Sequence, residues 1–295
     1  MIVAATQFAP VAGDIAANVR TVAGLVRAAG AEGARVVVFA ELALTGYEPS
    51  LIRDTPGLVL TEDDPRLAPV REACREASAA AVVNGPVRTP SGRPAITTLV
   101  IGPDGSLLAR YDKRHLYGVE AEVFAPGTAD GRFALDGVRF ATATCYDNRF
   151  PELAERAAAD GCAVYLASSV LGADNDSFET VYPARARDFG LYVVLGNVLG
   201  ANEDGVGAGL AGAWAPDGRR IADAGGEEPG YALAEVPDGR DGEGPPAPRT
   251  RKCRTAGGCV HGRPAGEAAA EPPVRDGAPA PYGALRPSVY APEPL

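Results

Sequence analysis

Histidine and lysine are almost missing from this chain. Its 295 residues include two histidines, His115 and His261, and two lysines, Lys113 and Lys252. A Ser-His-Asp or Cys-His site would have to use one of those histidines, and no G-x-S-x-G elbow is present. No C-x-x-C occurs. The five cysteines (Cys74, Cys145, Cys162, Cys253 and Cys259) are odd in number and lie in a long chain, so they read as reduced thiols rather than a disulfide framework. Cys253, Cys259 and His261 lack a fourth ligand and a recognised zinc spacing, so a solvated tail is the better reading there. No apolar run approaches the length needed to span a bilayer. The opening "MIVAATQFAP" has no basic region before its short apolar stretch. It reads as a first strand, not a secretory leader, and the expectation is a cytoplasmic protein. A formal net charge of −10 argues against a nucleic-acid partner and against an anionic membrane surface.

What is present is an alternation of strand-like and helix-like segments. The chain is 46% hydrophobic, enough for one large domain. "IVAATQF" reads as a strand. Residues 14–30 put Ile15, Val19, Val22, Leu25 and Val26 on one helical face, with Asp14 as N-cap and Gly30 at the end. "RVVVFAEL" is a continuous apolar run, as expected of a strand covered on both faces. A second helix is expected over about 66–80. The strands "AAVVNGPV", "AITTLVIGPDG" and "SLLARYDKRHL" follow, divided by Gly-Pro and Asp-Gly turn signals. "FALDGVRFATATC" reads as a hairpin, followed by a helix over 151–160, a strand "CAVYLASS", a helix "SFETVYPARARDFG" and a strand "YVVLGNV". The last two expected strands are "LAGAWAPDG" and "YALAEVP". Such an order predicts helices packed outside two sheets. At Pro237 the composition changes, and the remaining 59 residues hold 12 of the 26 prolines. Two parts are therefore expected: a body over 1–236, and a disordered or loosely draped tail over 237–295 with no part in catalysis.

Three reactive side chains stand at expected strand ends. Glu41 closes "RVVVFAE", Lys113 closes "LLARYDK" and Cys145 closes "FATATC". Strand ends on one sheet edge are the usual place for a site in an α/β protein. Each residue also has an ordinary reading: Glu41 as an exposed charge or a cap, Lys113 as a solvated lysine, Cys145 as a small buried hydrophobe. Lys113 is the sole lysine in the first 251 residues, where arginine serves every other cationic position. That suggests a need for its compact ammonium.

These pieces resemble the carbon–nitrogen hydrolase (nitrilase) superfamily. The matching segments are "VFAELALTGY", "YDKRHLYGVEAEVFAPG" and "CYDNRFPEL", with "PARARDFGLYVVLGN" and "APDGR" further on. The resemblance spans residues 1–236. It implies a four-layer α-β-β-α sandwich and a Glu-Lys-Cys triad of Glu41, Lys113 and Cys145. It also implies a supporting glutamate at Glu120, with Glu122 as its rival, and a homodimer or higher homo-oligomer. Tyr47 of "LTGY" and Tyr146 join the supporting set. Two departures stand out. Ala211 replaces a serine common in relatives, and the region 237–295 lacks the family's usual C-terminal pattern.

The implied chemistry is attack by Cys145 on a small amide. Glu41 takes the thiol proton, and Lys113 with the backbone N–H of Tyr146 meets the oxyanion. Water then cleaves the thioester. No metal or organic cofactor is called for. "CYDNRFPEL" resembles the amidase branches more than the nitrilase branch, while carbamoyl-amine hydrolysis, ω-amidase and nitrilase activity stay open on the same triad. A non-catalytic small-molecule-binding module on the same scaffold is the alternative of a different class. The loops 48–64, 117–130 and 170–178 are expected to line the pocket.

Overall fold

The computed structural model describes residues 1–236 and the backbone of 251–254. The first half of the chain lays down β1 (Ile2–Phe8), α1 (Ile15–Ala31), β2 (Ala34–Val38), α2 (Pro49–Asp54), α3 (Ala68–Ala77), β3 (Ala80–Arg88), β4 (Pro94–Ile101) and β5 (Leu107–Asp112). A short α4 (Glu120–Val123) precedes β6 (Gly131–Leu135), β7 (Val138–Thr144), α5 (Pro151–Ala159), β8 (Val164–Ser169), α6 (Val181–Phe189) and β9 (Tyr192–Asn202). The last elements are β10 (Gly205–Ala208), β11 (Gly212–Trp214), β12 (Arg220–Asp223), β13 (Gly230–Glu235) and β14 (Arg251–Arg254).

Hydrogen bonding follows one path, β5-β4-β3-β2-β1-β9-β8-β7-β6. The junction of β1 with β9 is narrow, only Gln7 opposite Asn197 and Phe8 opposite Val198. The path therefore folds into two facing sheets. Their inner sides meet in one apolar cluster, with Val3, Val36, Val38 and Val82 against Phe140, Val164, Leu166 and Val194. A second cluster joins the outer side of the first sheet to α1 and α3, through Ala4, Val37 and Val83 against Val19, Val22 and Val70. A third joins Tyr165, Ala167, Val193 and Leu195 to Ala154 and Ala157 of α5 and Tyr182 and Ala186 of α6. Three buried interfaces between four layers make the expected α-β-β-α sandwich.

Local chemistry explains most boundaries. The Asp14 carboxylate accepts from the Ala17 N–H at 2.9 Å and caps α1. Gly30 does not end that helix. It lies inside it, where a Cβ would come within 2.5 Å of Ala77 Cβ, so its role is the close approach of α1 to α3. The expected helix over "SFETVYPARARDFG" is divided into a 3-10 turn at Asp176–Phe178 and α6, which begins at Val181. "LAGAWAPDG" yields only β11, and the turn after it returns the chain as β12, which was not foreseen. Of the expected tail only Arg251–Arg254 are described, as a strand paired with β13. The rest of 237–295, including Cys259 and His261, lies outside the described residues. Among those described, no helix is long and apolar enough to cross a membrane.

Candidate active site

Strand direction brings the reactive residues together. β1, β2 and β3 are parallel. β4 reverses, and β5 reverses again, so β5 runs with β2. On the other sheet β7, β8 and β9 are parallel, and β9 joins β1 in parallel. β2, β5, β7 and β8 therefore all end toward the same edge. Glu41 follows β2, Lys113 follows β5, Cys145 follows β7 and Val170 follows β8. Glu41 lies three residues beyond its strand, in a turn where Leu42 has φ 49° and donates its N–H to Asn84 Oδ1 at 2.7 Å.

Lys113 sits at the centre of the cluster and is fully buried. Its Nζ donates to Glu41 Oε1 at 2.7 Å and to Glu120 Oε1 at 2.7 Å. Glu120 is also held by the Tyr47 hydroxyl at 2.7 Å and by the Tyr117 N–H, 2.8 Å from Oε2. Glu122 is exposed, so Glu120 is the glutamate that reaches the lysine. Glu41 Oε2 has no hydrogen-bond partner. The Cys145 thiol is among the groups that act on this carboxyl.

Cys145 has φ 47°, a left-handed conformation that a side chain rarely adopts. It opens a short 3-10 turn, Cys145–Arg149, between β7 and α5. Such an elbow lifts the thiol off the strand end, and part of Cys145 remains accessible. Its Sγ lies 3.8 Å from the Val170 carbonyl oxygen.

Two polar networks brace this geometry. The first runs from Leu42 N–H to Asn84, from Asn84 Nδ2 to Thr98 Oγ1 at 3.0 Å, and from Thr98 Oγ1 to Thr144 Oγ1 at 3.4 Å. It ties the residue after Glu41 to the residue before Cys145. The second centres on Asp147, which is completely buried. Its carboxylate accepts from the Tyr111 hydroxyl at 2.6 Å, the His115 N–H at 2.9 Å and the Thr144 N–H at 3.1 Å, and meets His115 Nδ1 at 2.9 Å. Tyr111 and His115 flank Lys113, and Thr144 precedes Cys145, so one carboxylate joins the two segments. His115 stacks on Phe150 with ring centroids 3.7 Å apart. Tyr146 packs its ring on Phe150 and Tyr117.

The electrostatics separate the roles. Burial pushes the Glu41 carboxyl up to about 7; Lys113 opposes this and Glu120 adds to it. Burial, then Glu41, raises the Cys145 thiol well above its ordinary value, with Lys113 pulling the other way. The resting cysteine is therefore a neutral thiol beside a base poised near neutrality. Burial lowers the Lys113 pKa, but Glu41, Cys145 and Glu120 outweigh it, so the lysine stays charged. Tyr47 is pushed up, by burial first and then by Glu41 and Glu120, and stays a hydrogen-bond donor. Among the described residues no group of His, Cys, Asp and Glu has the arrangement to hold a metal ion.

A buried Glu-Lys-Glu cluster beside a cysteine on a strained elbow, within a four-layer sandwich, defines a cysteine-dependent hydrolase scaffold. The carbon–nitrogen hydrolase family profile matches residues 2–241, and the chain belongs to that family. It is 30% identical over 209 residues to a 2-oxoglutaramate amidase from Bacillus subtilis, covering 69% of this chain and 78% of the relative. It is 29% identical over 188 residues to an ω-amidase from Bos taurus, covering 60% and 67%. Its fold matches that of an amidase from Nesterenkonia sp. AN1 with TM-score 0.74 and 28% identity, covering 81% of this chain and 93% of the other. A variant of that amidase in complex with butyramide matches with TM-score 0.73 and 27% identity, covering 81% and 92%.

Proposed function

We propose that the chain hydrolyses small amides to an acid and ammonia or an amine through a thioester on Cys145. The observation that carries this is the Lys113 ammonium shared by Glu41 and Glu120 at 2.7 Å each, with Glu41 Oε2 left free. As Cys145 Sγ bonds to the amide carbon, its proton passes to Glu41. Lys113 and the Tyr146 N–H meet the oxyanion, which a preorganised buried charge stabilises far better than water does. The tetrahedral adduct collapses, the C–N bond breaks, and Glu41 returns the proton to the leaving amine. Water, deprotonated by Glu41, then attacks the thioester and frees the acid and the thiol. Glu120 holds Lys113 in place, itself held by Tyr47. Relatives named as amidases support an amide over a nitrile. We place the protein in the cytoplasm as a homo-oligomer, with residues 1–236 as the catalytic body.

Ammonia release from a panel of amides, carbamoyl amines and nitriles tests the reading. Turnover of at least one amide, and its loss in Cys145→Ala, is expected. Turnover of nitriles alone, or of none of these, contradicts it, the latter favouring a binding module.

A further inference from the structure

We infer that Asn148 is a positioning residue: it grips the Cys145 carbonyl and so aims the N–H of Tyr146, which shares that peptide unit, at the oxyanion. Arg185 of α6 holds Asn148 in place for this. The inference rests on the hydrolase reading above, in which that N–H is one of two oxyanion donors. Asn148 Nδ2 donates to the Cys145 carbonyl oxygen at 2.8 Å. That carbonyl and the Tyr146 N–H belong to one planar trans peptide, so they point in opposite directions. A bond that fixes the carbonyl therefore fixes the line of the N–H.

The elbow needs such a hold. Cys145 has φ 47°, a conformation that a residue with a side chain keeps only where its surroundings over-determine it. The Asp147 carboxylate acts on the strand side, through the Thr144 N–H at 3.1 Å. The Asn148 amide acts on the other side, on the peptide that follows Cys145.

Asn148 is itself placed by α6. Arg185 Nε donates to the Asn148 carbonyl oxygen at 2.9 Å, and both residues are buried. The helix is fixed against the sheet in turn. The Tyr182 hydroxyl lies 2.8 Å from Ser169 Oγ at the end of β8, and its ring stacks on Trp214 of β11 with centroids 5.3 Å apart. Two hydrogen bonds thus link a braced helix to the oxyanion peptide.

Packing alone does not explain an asparagine here. Its Oδ1 is buried with no hydrogen-bond partner. An orphaned acceptor costs stability, a cost that leucine of similar volume would not carry. Only the amino end of the amide can face a carbonyl, so the Cys145 oxygen dictates which way the side chain turns. A polar side chain kept at a loss to stability, with its donor on the nucleophile's own carbonyl, fits a part in the reaction.

The test uses the full chain with Asn148→Leu, which removes the amide at nearly constant volume, and Arg185→Met, which leaves Asn148 in place. The substrate is the amide of the panel above that the wild type cleaves fastest. The probe is the aldehyde of the same acyl group, butyraldehyde where the amide is butyramide. Cys145 Sγ bonds to the aldehyde carbon, the carbonyl π pair moves to oxygen, and that oxygen takes up the thiol proton. The adduct therefore places an oxygen where the oxyanion forms. Methyl methanethiosulfonate, which has no carbonyl, reads the reactivity of the thiol separately, on the peptide containing Cys145. Asn148→Leu should lower kcat by about 10- to 100-fold, less than outright loss of an oxyanion donor, with KM within about threefold. The inhibition constant of the aldehyde should rise by the factor by which kcat/KM falls. Methylthiolation of Cys145 should keep its rate to within about twofold. Arg185→Met should show the same pattern at about three- to tenfold, and Arg185→Lys, which keeps a donor, should lie nearer wild type. Where Asn148→Leu does not fold, the Arg185 pair decides, and equal losses in the two variants overturn the inference. A normal kcat in Asn148→Leu overturns it, as does a fall in kcat matched by methylthiolation with aldehyde binding unchanged. Ammonia from no amide of the panel overturns the hydrolase reading, and this inference with it.

Discussion

Lys113 Nζ lies 2.7 Å from Glu41 Oε1, both side chains buried, and it shares its charge with Glu120. One cation between two buried carboxylates leaves an excess negative charge when all three are ionised. Burial disfavours that state, which is why the Glu41 carboxyl titrates near neutrality. Glu41→Gln removes the excess charge and keeps the shape. Turnover should fall by about 100- to 10,000-fold, the usual scale for a general base. The melting temperature should hold or rise, because Lys113 and Glu120 remain a balanced pair. Ammonia release and thermal unfolding, measured side by side, check both halves. A variant with more than about a tenth of wild-type kcat/KM would remove Glu41 from the base role.

The same carboxyl sets a pH dependence. With Glu41 as the proposed base, catalysis requires its ionised form, so kcat/KM should fall about tenfold per pH unit below about 7. Stability runs the other way. The folded state binds this proton more tightly than the unfolded chain, whose value is 4.5, so the proton's stabilising effect is fully present below 4.5 and is lost as pH rises through about 7. Denaturant titrations should therefore show wild type losing stability relative to Glu41→Gln across that window. A flat activity profile from pH 5 to 8 would contradict the assignment.

Asp147 holds the Lys113 segment against the Cys145 segment, through Tyr111, His115 and Thr144. Asp147→Ala orphans three donors, two of them on buried residues, and should cost about 3 kcal/mol or more of unfolding free energy. Asp147→Asn keeps one acceptor and should retain more stability while still lowering kcat, because the elbow loosens. Chemical unfolding with kcat measured on the folded fraction checks this. Unchanged kcat in both variants would make Asp147 a purely structural group.

Gly196 of β9 passes so close to the end of β2 that a Cβ would come within 2.6 Å of the Phe39 carbonyl carbon. That atom is backbone and cannot rotate away. Gly196→Ala should push the Glu41 turn outward, costing about 1–3 kcal/mol as overpacking does, and lowering turnover with it. Thermal unfolding and ammonia release decide it. An alanine variant with normal stability and rate would show that the two strands have room to separate.

The neighbourhood of Glu41, Lys113 and Cys145 was legible because each stands at or just beyond the end of a strand. Lys113 was marked by the scarcity of lysine itself, and Glu41 and Cys145 by the motifs around them. Glu120 and Glu122 could not be told apart by type. Only the single turn of α4 decides which carboxylate turns inward. The strands β10 and β12 were missed because each spans four residues, too few for a period to declare itself. The turn carrying Glu203 and Asp204 was lost with β10. It walls a cleft of about 920 Å³ beside Val170 and a cavity of about 170 Å³ beside Tyr47, where the loops 170–178 and 117–130 were foreseen and this third wall was not. Asp147 looked like part of the motif after Cys145. Its main partners, Tyr111 and His115, stand 36 and 32 residues away and become neighbours only once β5 and β7 are aligned.

The central claim is that Cys145 carries the acyl group. Rapid acid quenching during butyramide turnover, followed by peptide mass analysis, measures it directly. The account predicts one butyryl group on the peptide containing Cys145, removed by hydroxylamine, with neither adduct nor ammonia release in Cys145→Ala. Sustained ammonia release by Cys145→Ala, or turnover with the acyl group on another residue, would contradict it.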